Sequence, residues 1–197
     1  MAMPGDKYRV NEIFYSLQGE GFWTGTPMVF VRLSGCNLRC PFCDTDFRTF
    51  REMSAAEIVT EARRAGGDCR RICLTGGEPA LQADAALIAA FHAAGFTVHM
   101  ETNGTCPLPE DIDWVSFSPK SDFVSGGAAC LRRADELKLV FAEGCDPARW
   151  ADFPSAWHFL QPCDKGGTVE TAPVIDYIRT HPRWRLSLQT HKLLNIR

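Results

Sequence analysis

The stretch Ser34-Gly-Cys-Asn-Leu-Arg-Cys-Pro-Phe-Cys-Asp-Thr45 decides the fold of this chain. It follows directly on Met28 to Leu33, a short apolar run that predicts a buried strand. Cys36, Cys40 and Cys43 are spaced Cys-x3-Cys-x2-Cys, so one loop presents three thiolates. Iron–sulfur clusters are held by thiolates, and three ligands leave one iron of a 4Fe-4S cluster open. The loop therefore predicts such a cluster, whose open iron can chelate the amino and carboxylate groups of S-adenosylmethionine (SAM).

Zinc is the alternative metal for this loop, because thiolates also bind zinc. Zinc prefers four ligands, and Cys69 or Cys73 can supply the fourth.

The total of nine cysteines is odd, which argues against a disulfide framework in a chain without a secretory segment. We interpret the six cysteines outside the loop as buried structural thiols: Cys69, Cys73, Cys106, Cys130, Cys145 and Cys163.

A glycine-rich segment, Thr75-Gly-Gly-Glu-Pro79, closes the second apolar run, Arg71 to Thr75. Paired glycines let the backbone approach a ligand closely, so we expect the backbone at Gly77 to bind the amino group of SAM. Alone, this segment would indicate only a turn. Because this segment closes the next strand after the three-cysteine loop, it indicates the part of a site where the cofactor binds.

Strand and helix patterns alternate along the chain. Helices are predicted from the capping box Ser54-x-x-Glu57, at about 83–94 and at about 169–180. The alternation predicts an α/β fold with a parallel sheet, whose strands bind ligands at their carboxyl ends. We expect one domain over residues 1–197, an incomplete (β/α) barrel with about six parallel strands and fewer helices than a full barrel. The later strand-like runs are at 96–101, 114–118, 136–141, 157–160 and 185–189.

Composition and charge bound the class of protein. A formal net charge of -3 gives no electrostatic reason to expect nucleic-acid binding. No apolar run approaches the roughly 20 residues that span a bilayer, so we expect no membrane contact. Residues Met1 to Val10 have no apolar core of a signal peptide. A cytoplasmic location is expected.

The cysteine loop followed by Gly-Gly-Glu-Pro resembles the radical SAM superfamily. Further segments are similar to the 7-carboxy-7-deazaguanine synthase family, and the first and last of them are specific to it. These segments are Asn11 to Gly21, Arg32, Cys43-Asp-Thr45, Ser118-Pro-Lys120, Leu160-Gln-Pro162 and Leu188-Gln-Thr-His-Lys192.

The resemblance implies a fold and a reaction. The fold is the incomplete barrel of radical SAM enzymes. The reaction is the contraction of 6-carboxy-5,6,7,8-tetrahydropterin to 7-carboxy-7-deazaguanine with loss of ammonia, for queuosine and other 7-deazapurines. The enzyme would be a carbon–nitrogen lyase that uses the 4Fe-4S cluster, SAM and Mg²⁺. No general acid or base is nominated, because the cofactors carry the hard chemistry.

The resemblance also implies roles for individual residues. Glu20 is expected to accept the paired N–H donors of the pterin, and Arg32 to bind its carboxylate, unless Arg32 pairs with a neighbouring acid. Thr45 is expected to bind Mg²⁺. The other substrate residues are Leu17, Gln18, Gly19, Thr75, Gln189, His191 and Arg197, the last through its carboxylate. The SAM residues besides Gly77 are Ser118, Pro119, Lys120, Gln161, Pro162, Cys163 and Asp164.

The resemblance further implies a flavodoxin or ferredoxin as reductant and a homodimer. Two alternatives remain open at this point. A glycyl-radical-enzyme activating protein shares the cysteine loop but has no use for Glu20 or Arg32. A non-enzymatic iron–sulfur or zinc module has no need of Gly76-Gly77 at the end of a strand.

Overall fold

The computed structural model describes residues 7–46 and 48–197. The expectation that a signal peptide is absent rests partly on Met1 to Asp6, which lie outside the described residues. Within the described part of the chain, no helix has both the length and the apolar character needed to cross a membrane.

Nine strands and four α-helices make up the described chain. The strands are β1 (Tyr8–Leu17), β2 (Pro27–Leu33), β3 (Arg51–Met53), β4 (Arg71–Gly76), β5 (Thr97–Thr102), β6 (Trp114–Phe117), β7 (Ala134–Phe141), β8 (Ser155–Pro162) and β9 (Trp184–Leu186). The helices are α1 (Ala55–Gly66), α2 (Ala85–Ala93), α3 (Ala172–Thr180) and α4 (Thr190–Leu193), with 3₁₀ turns at Pro79–Leu81 and Pro147–Trp150.

All nine strands form one sheet in the order β3-β1-β2-β4-β5-β6-β7-β8-β9. The pairs from β2-β4 through β8-β9 are all parallel. Strand β1 pairs antiparallel with both β2 and β3. Because β3 and β9 are the two edges, the sheet is an open barrel, which confirms the predicted fold class. Strands β1 and β3 were not among the predicted strands.

The predicted first and second helices are present. Ser54 caps α1, because its hydroxyl accepts from the Glu57 amide at 3.3 Å and its own amide donates to Glu57 Oε2 at 2.7 Å. Replacing such a cap by alanine costs about 1 kcal/mol. The third helix begins later than predicted and buries only Val174, while Ile175 is exposed. Between β6 and β8 the described chain contains β7 and a 3₁₀ turn but no α-helix, in line with the expectation of fewer helices than in a full barrel.

The two faces of the sheet differ in polarity. Alternate strand residues such as Val31, Leu74 and Met100 pack with α1 and α2, and Leu137 and Leu139 pack in a second cluster with α3. Burying a side chain of this size contributes roughly 1.5–3 kcal/mol. The residues between them point to the inner face. That inner face carries the polar groups of the site.

Candidate active site

The carboxyl ends of the parallel strands surround a cavity of about 330 Å³, where a parallel sheet holds its ligands. Of the predicted site residues, Cys36 lines an adjacent hollow that shares Cys43 and Thr45 with the cavity, and Pro119 is buried. All the others line the cavity itself: Leu17, Gln18, Gly19, Glu20, Arg32, Cys40, Cys43, Thr45, Thr75, Gly77, Ser118, Lys120, Gln161, Pro162, Cys163, Asp164, Gln189, His191 and Arg197.

The three thiols of the cysteine loop lie within electrostatic reach of one another. Burial, together with the neighbouring thiols, raises the pKa of Cys36 and of Cys40. Among residues 7–46 and 48–197, no three His, Cys, Asp or Glu side chains converge where a single metal ion would sit. In a 4Fe-4S cluster each thiolate binds a different iron, so the thiols need not converge. The donor set therefore fits a cluster.

The glycine-rich segment packs directly on the start of the cysteine loop. A Cβ atom on Gly77 would lie 2.2 Å from the Gly35 carbonyl oxygen and 2.7 Å from Cys36 Cβ. Gly76 has φ +146°, and a Cβ atom there would lie 2.1 Å from the Leu33 oxygen. Only glycine tolerates both the backbone angle and the close approach. The two segments that the sequence analysis brings together are thus in backbone contact, with a cradle that a side chain would fill.

Glu78 is a fully buried carboxylate beside these glycines. It accepts hydrogen bonds from the Thr102 hydroxyl at 2.8 Å, the Asn103 amide at 2.7 Å and the Ala80 amide at 3.0 Å. Burial nevertheless raises the pKa of Glu78. The Asn103 side chain in turn donates to Asn37 of the cysteine loop at 3.2 Å. Glu78 therefore joins the ends of β4 and β5 to the loop that carries the thiols.

Five polar side chains form a continuous chain across the cavity: Gln189, Glu20, Lys138, Glu101 and Gln18. The Lys138 ammonium donates to Glu20 Oε2 at 2.6 Å and to Glu101 Oε2 at 3.0 Å. Gln189 donates to Glu20 Oε1 at 2.9 Å, and Gln18 donates to Glu101 Oε1 at 3.1 Å. Each carboxylate is therefore held by the same lysine on one oxygen and by an amide on the other.

The charges in this chain stabilise one another. Burial alone would raise the pKa of Glu20, but Lys138 and the hydrogen bond from Gln189 outweigh it and lower the pKa to about 2. Burial alone would lower the pKa of Lys138, but Glu101, Glu20 and Glu136 raise it above its ordinary value. Sequence reasoning missed Lys138. Its signal was a lysine inside the apolar run 137–141.

Arg32 lies in the cavity wall and is already paired. Its Nε donates to Glu12 Oε1 at 2.9 Å, and the Arg197 guanidinium pairs with the other oxygen of Glu12. Arg197 also lies 4.9 Å above the centre of the Phe14 ring. A guanidinium has five N–H donors, so the ion pair leaves Arg32 able to bind a further carboxylate. Both expectations for Arg32 are therefore compatible.

Lys120 folds back at the end of β6 on the cofactor side. Its ammonium donates to the Ser118 carbonyl at 2.7 Å and to the Ser118 hydroxyl at 2.5 Å. Burial lowers the pKa of Lys120 to about 8, with the nearby Cys40 thiol acting in the opposite direction. The lysine and the hydroxyl thus form one polar group beside the cysteine loop.

The C-terminal helix α4 closes the other side. The Thr190 amide and hydroxyl both donate to the Gly19 carbonyl at 2.9 Å. A Cβ atom on Gly19 would lie 2.1 Å from His191 Nδ1, so only glycine leaves room for this ring. The closing strand expected at 185–189 is shorter, Trp184–Leu186, because the chain turns into α4 at Gln189.

The interpretation of the six other cysteines as buried thiols is wrong for most of them. All nine cysteines are free thiols. Of these six only Cys73 is buried; Cys130 is exposed and the rest are partly exposed. Cys163 lines the cavity, because it follows a parallel strand and therefore lies at the ligand-binding edge. The histidines His99 and His158 are buried, in β5 and β8.

The comparisons with known proteins agree with this geometry. Residues 30–127 match the Radical SAM superfamily. Fold and site thus define a radical SAM enzyme, a class that uses a 4Fe-4S cluster and SAM. A 7-carboxy-7-deazaguanine synthase of Bacteroides thetaiotaomicron is 50% identical over 189 residues, which cover 96% of this chain and 98% of that one.

A protein of the same name from Bradyrhizobium diazoefficiens is 43% identical over 212 residues, covering 96% of this chain and 99% of that one. The crystal structure of QueE from Escherichia coli has a TM-score of 0.75 and 28% identity, and covers 92% of this chain and 93% of that chain. The chain belongs to the 7-carboxy-7-deazaguanine synthase family of radical SAM lyases. The activating protein and the non-enzymatic module are thereby set aside.

Proposed function

We propose that the chain contracts 6-carboxy-5,6,7,8-tetrahydropterin to 7-carboxy-7-deazaguanine with loss of ammonia. Membership of the synthase family supports this reaction. The observation that carries it is that Glu20 and Arg32 line the same cavity as Cys40 and Cys43. A pterin bound by the first pair therefore lies beside the loop that holds the cluster.

The cofactors would be held by groups at the strand ends. Cys36, Cys40 and Cys43 would bind the cluster, and the backbone at Gly77 would contact the methionine end of SAM. The remaining SAM contacts would come from Ser118, Pro119, Lys120, Gln161, Pro162, Cys163 and Asp164. When bound, the cluster and SAM supply the one-electron chemistry that removes hydrogen from the substrate.

Glu20 would recognise the pterin edge. The 2-amino group and the adjacent ring N–H are paired donors, and an ionised carboxylate accepts about four hydrogen bonds. Lys138 and Gln189 occupy one position on each oxygen of Glu20. One position on each oxygen remains for the substrate. The held carboxylate is therefore already oriented before the pterin binds.

The substrate carboxylate would bind Arg32, whose planar fork matches it. Phe14 and Phe30, stacked with ring centres 5.0 Å apart, form an apolar wall of the same cavity and exclude water. Further substrate contacts would come from Leu17, Gln18, Gly19, Thr75, Gln189, His191 and the carboxylate of Arg197. Together these groups orient the ring against the cofactor side.

Mg²⁺ would bind at Thr45. Its hydroxyl lies 3.5 Å from Asp44 Oδ1, where the cavity meets the adjacent hollow. Mg²⁺ accepts hard oxygen ligands and keeps several waters, so one protein oxygen with the substrate carboxylate and water suits it. The ion would act as a template and Lewis acid on that carboxylate.

The wider setting is part of the same proposal. The chain would act as one domain over residues 1–197, in the cytoplasm, as a homodimer, with a flavodoxin or ferredoxin as reductant. Its product would feed queuosine and other 7-deazapurines. The family resemblance supports these features.

An anaerobic turnover assay tests the proposed function. The reconstituted enzyme receives SAM, a reductant and the carboxypterin, and methionine, 5′-deoxyadenosine and the deazapurine are measured. We expect all three products, with the deazapurine dependent on the carboxypterin. Cleavage of SAM without any deazapurine would contradict the proposed substrate.

A further inference from the structure

We propose that Lys138 is a positioning residue for the pterin: it holds the Glu20 carboxylate ionised and correctly oriented to accept the substrate's N–H donors. This inference rests on the proposed function. It concerns a residue that the sequence analysis did not include in the site.

The geometry around Lys138 supports this role. Its side chain is 6% exposed, and its ammonium lies 2.6 Å from Glu20 Oε2 and 3.0 Å from Glu101 Oε2. Both carboxylates line the substrate cavity, and so does Lys138. Because amides from Gln189 and Gln18 hold the opposite oxygens, the plane of each carboxylate is fixed at two points.

A purely structural role explains this arrangement less well. Buried ion pairs add little to stability compared with apolar side chains of similar volume, because desolvation offsets the attraction between the charges. The neighbouring residues Leu137 and Leu139 point the other way and pack in the apolar core. A buried ammonium on the inner face of β7 is therefore explained by the two carboxylates that it faces.

Removing the ammonium would change the protonation of Glu20. Without Lys138, burial and the adjacent Glu101 both disfavour the charged form, so the pKa of Glu20 rises well above its present value of about 2. The other titratable or charged groups that act on this centre are Glu136 on β7, His191 on α4, Lys120 after β6, Cys73 on β4 and Arg32 on β2. All of them remain in a Lys138 variant.

The sign of the pH effect follows. In the wild type Glu20 stays ionised through the neutral range, so its titration does not affect pterin affinity. In Lys138→Met, Glu20 takes up a proton as the pH falls, and a protonated carboxyl cannot accept both donors. Pterin affinity is therefore lost toward low pH and recovered as the pH rises through the raised pKa.

The test compares KM and kcat for the carboxypterin between about pH 6 and about pH 9, a range that spans strongly raised carboxyl pKa values. The proteins are the reconstituted wild type, Lys138→Met, Lys138→Arg and the exposed-lysine control Lys7→Met. Each KM is divided by the wild-type KM at the same pH, which cancels the titration of the substrate. Iron content and SAM affinity are measured in parallel.

We expect Lys138→Met to raise KM about tenfold or more at neutral pH, the scale of a lost charge-assisted hydrogen bond. The ratio should fall as the pH rises, Lys138→Arg should restore most of the affinity, and Lys7→Met should match the wild type. A ratio near one, or a raised ratio that does not change with pH, would overturn the proposal.

Two further arms keep the test decisive. If Lys138→Met does not fold, the double variant Lys138→Met, Glu101→Gln has one buried carboxylate fewer and is judged by the same pH-dependent ratio. If the wild type binds SAM but does not convert the carboxypterin, the proposed function fails, and this inference fails with it. If the wild type converts the pterin and the Lys138 variants behave like the wild type, only this inference fails and the proposed function stands.

Discussion

Lys192 and Asp44 form an ion pair with a distance of 2.5 Å between Nζ and Oδ2, although 148 residues separate them. The same ammonium lies 2.8 Å from Asp164 Oδ2. Asp44 belongs to the segment that carries the thiols, and Asp164 follows β8 on the cofactor side. Lys192 therefore ties the C-terminal helix to both sides of the cavity.

Replacing Lys192 by methionine should loosen this helix. Partly exposed ion pairs contribute about 0.2–1 kcal/mol each, so the loss of two pairs should raise KM for the pterin by at most about thirtyfold and at least about twofold. Salt screens such pairs, so the effect should shrink at high ionic strength. The measurement is KM at low and high salt, with the exposed pair of α3 as a control through Arg179→Met. An unchanged KM at low salt would show that the pairs do not hold the helix.

The cysteine loop should have no spare ligand. We expect SAM cleavage to be abolished and the iron content to be lowered by each of Cys36→Ala, Cys40→Ala and Cys43→Ala. Each change removes one of only three protein ligands of the cluster. The exposed thiol Cys130 serves as control, and Cys130→Ala should keep both properties. Loss of iron in the Cys130 variant would contradict the ligand assignment.

Glu20→Gln and Arg32→Ala should weaken pterin binding about ten- to hundredfold each, since hydrogen bonds to charged groups contribute about 1.5–3 kcal/mol. SAM affinity should persist in both variants, because neither residue is assigned to the cofactor. Equilibrium binding of the carboxypterin and of SAM separates the two effects. A pterin affinity equal to that of the wild type would remove the residue concerned from the pocket.

Mg²⁺ should accelerate turnover, and Thr45→Ala should reduce that response without lowering the iron content. The reason is that the threonine hydroxyl is the single hard protein ligand proposed for the ion. Turnover is measured across a Mg²⁺ titration after chelation, with Thr60→Ala on α1 as a hydroxyl control, because the Thr60 hydroxyl donates only to the Ala56 carbonyl of the same helix. A wild-type turnover rate that changes neither with the chelator nor with added Mg²⁺ would contradict the assignment of Thr45 to Mg²⁺.

Deleting Asn195 to Arg197 should impair pterin turnover while the iron–sulfur absorbance stays intact. Arg197 contacts Glu12, Phe14 and Ser16 along β1, so the deletion removes the contacts that hold the last residues against the cavity wall. An extension after Arg197 should act in the same direction. Full activity of both the truncated and the extended protein would place the chain end outside the site.

Much of the fold follows from local patterns. The run at 28–33, the cysteine loop and Gly76-Gly77 could be placed because a parallel sheet brings strand ends together. Strand β1 was missed for a physical reason. Its residues Asn11 to Leu17 mix polar and apolar side chains on a strand whose inner face lines the cavity, so they lack the continuous apolar run of a buried strand.

The site was predicted unevenly. Residues in recognisable segments, such as Glu20 and His191, could be assigned, whereas Lys138 depends on the register that sets it against Glu20 and Glu101. Cross-strand register is a long-range property, and an isolated lysine in an apolar run does not reveal its partner. The same holds for Glu12, which joins Arg32 to Arg197.

The contact between Glu20 and Gln189 spans 169 residues, and the pairing of Glu12 with Arg197 spans 185. By contrast, the cysteine loop meets its glycine-rich partner within the first 78 residues. We expect these long-range contacts to form after the local ones, because closing a longer loop costs more conformational entropy. During synthesis the thiol cradle can therefore form on a half-made chain, while the pterin pocket waits for residues 189–197 to leave the ribosome. A chain that receives its cluster before then holds the metal in a cavity still open to solvent and oxidants.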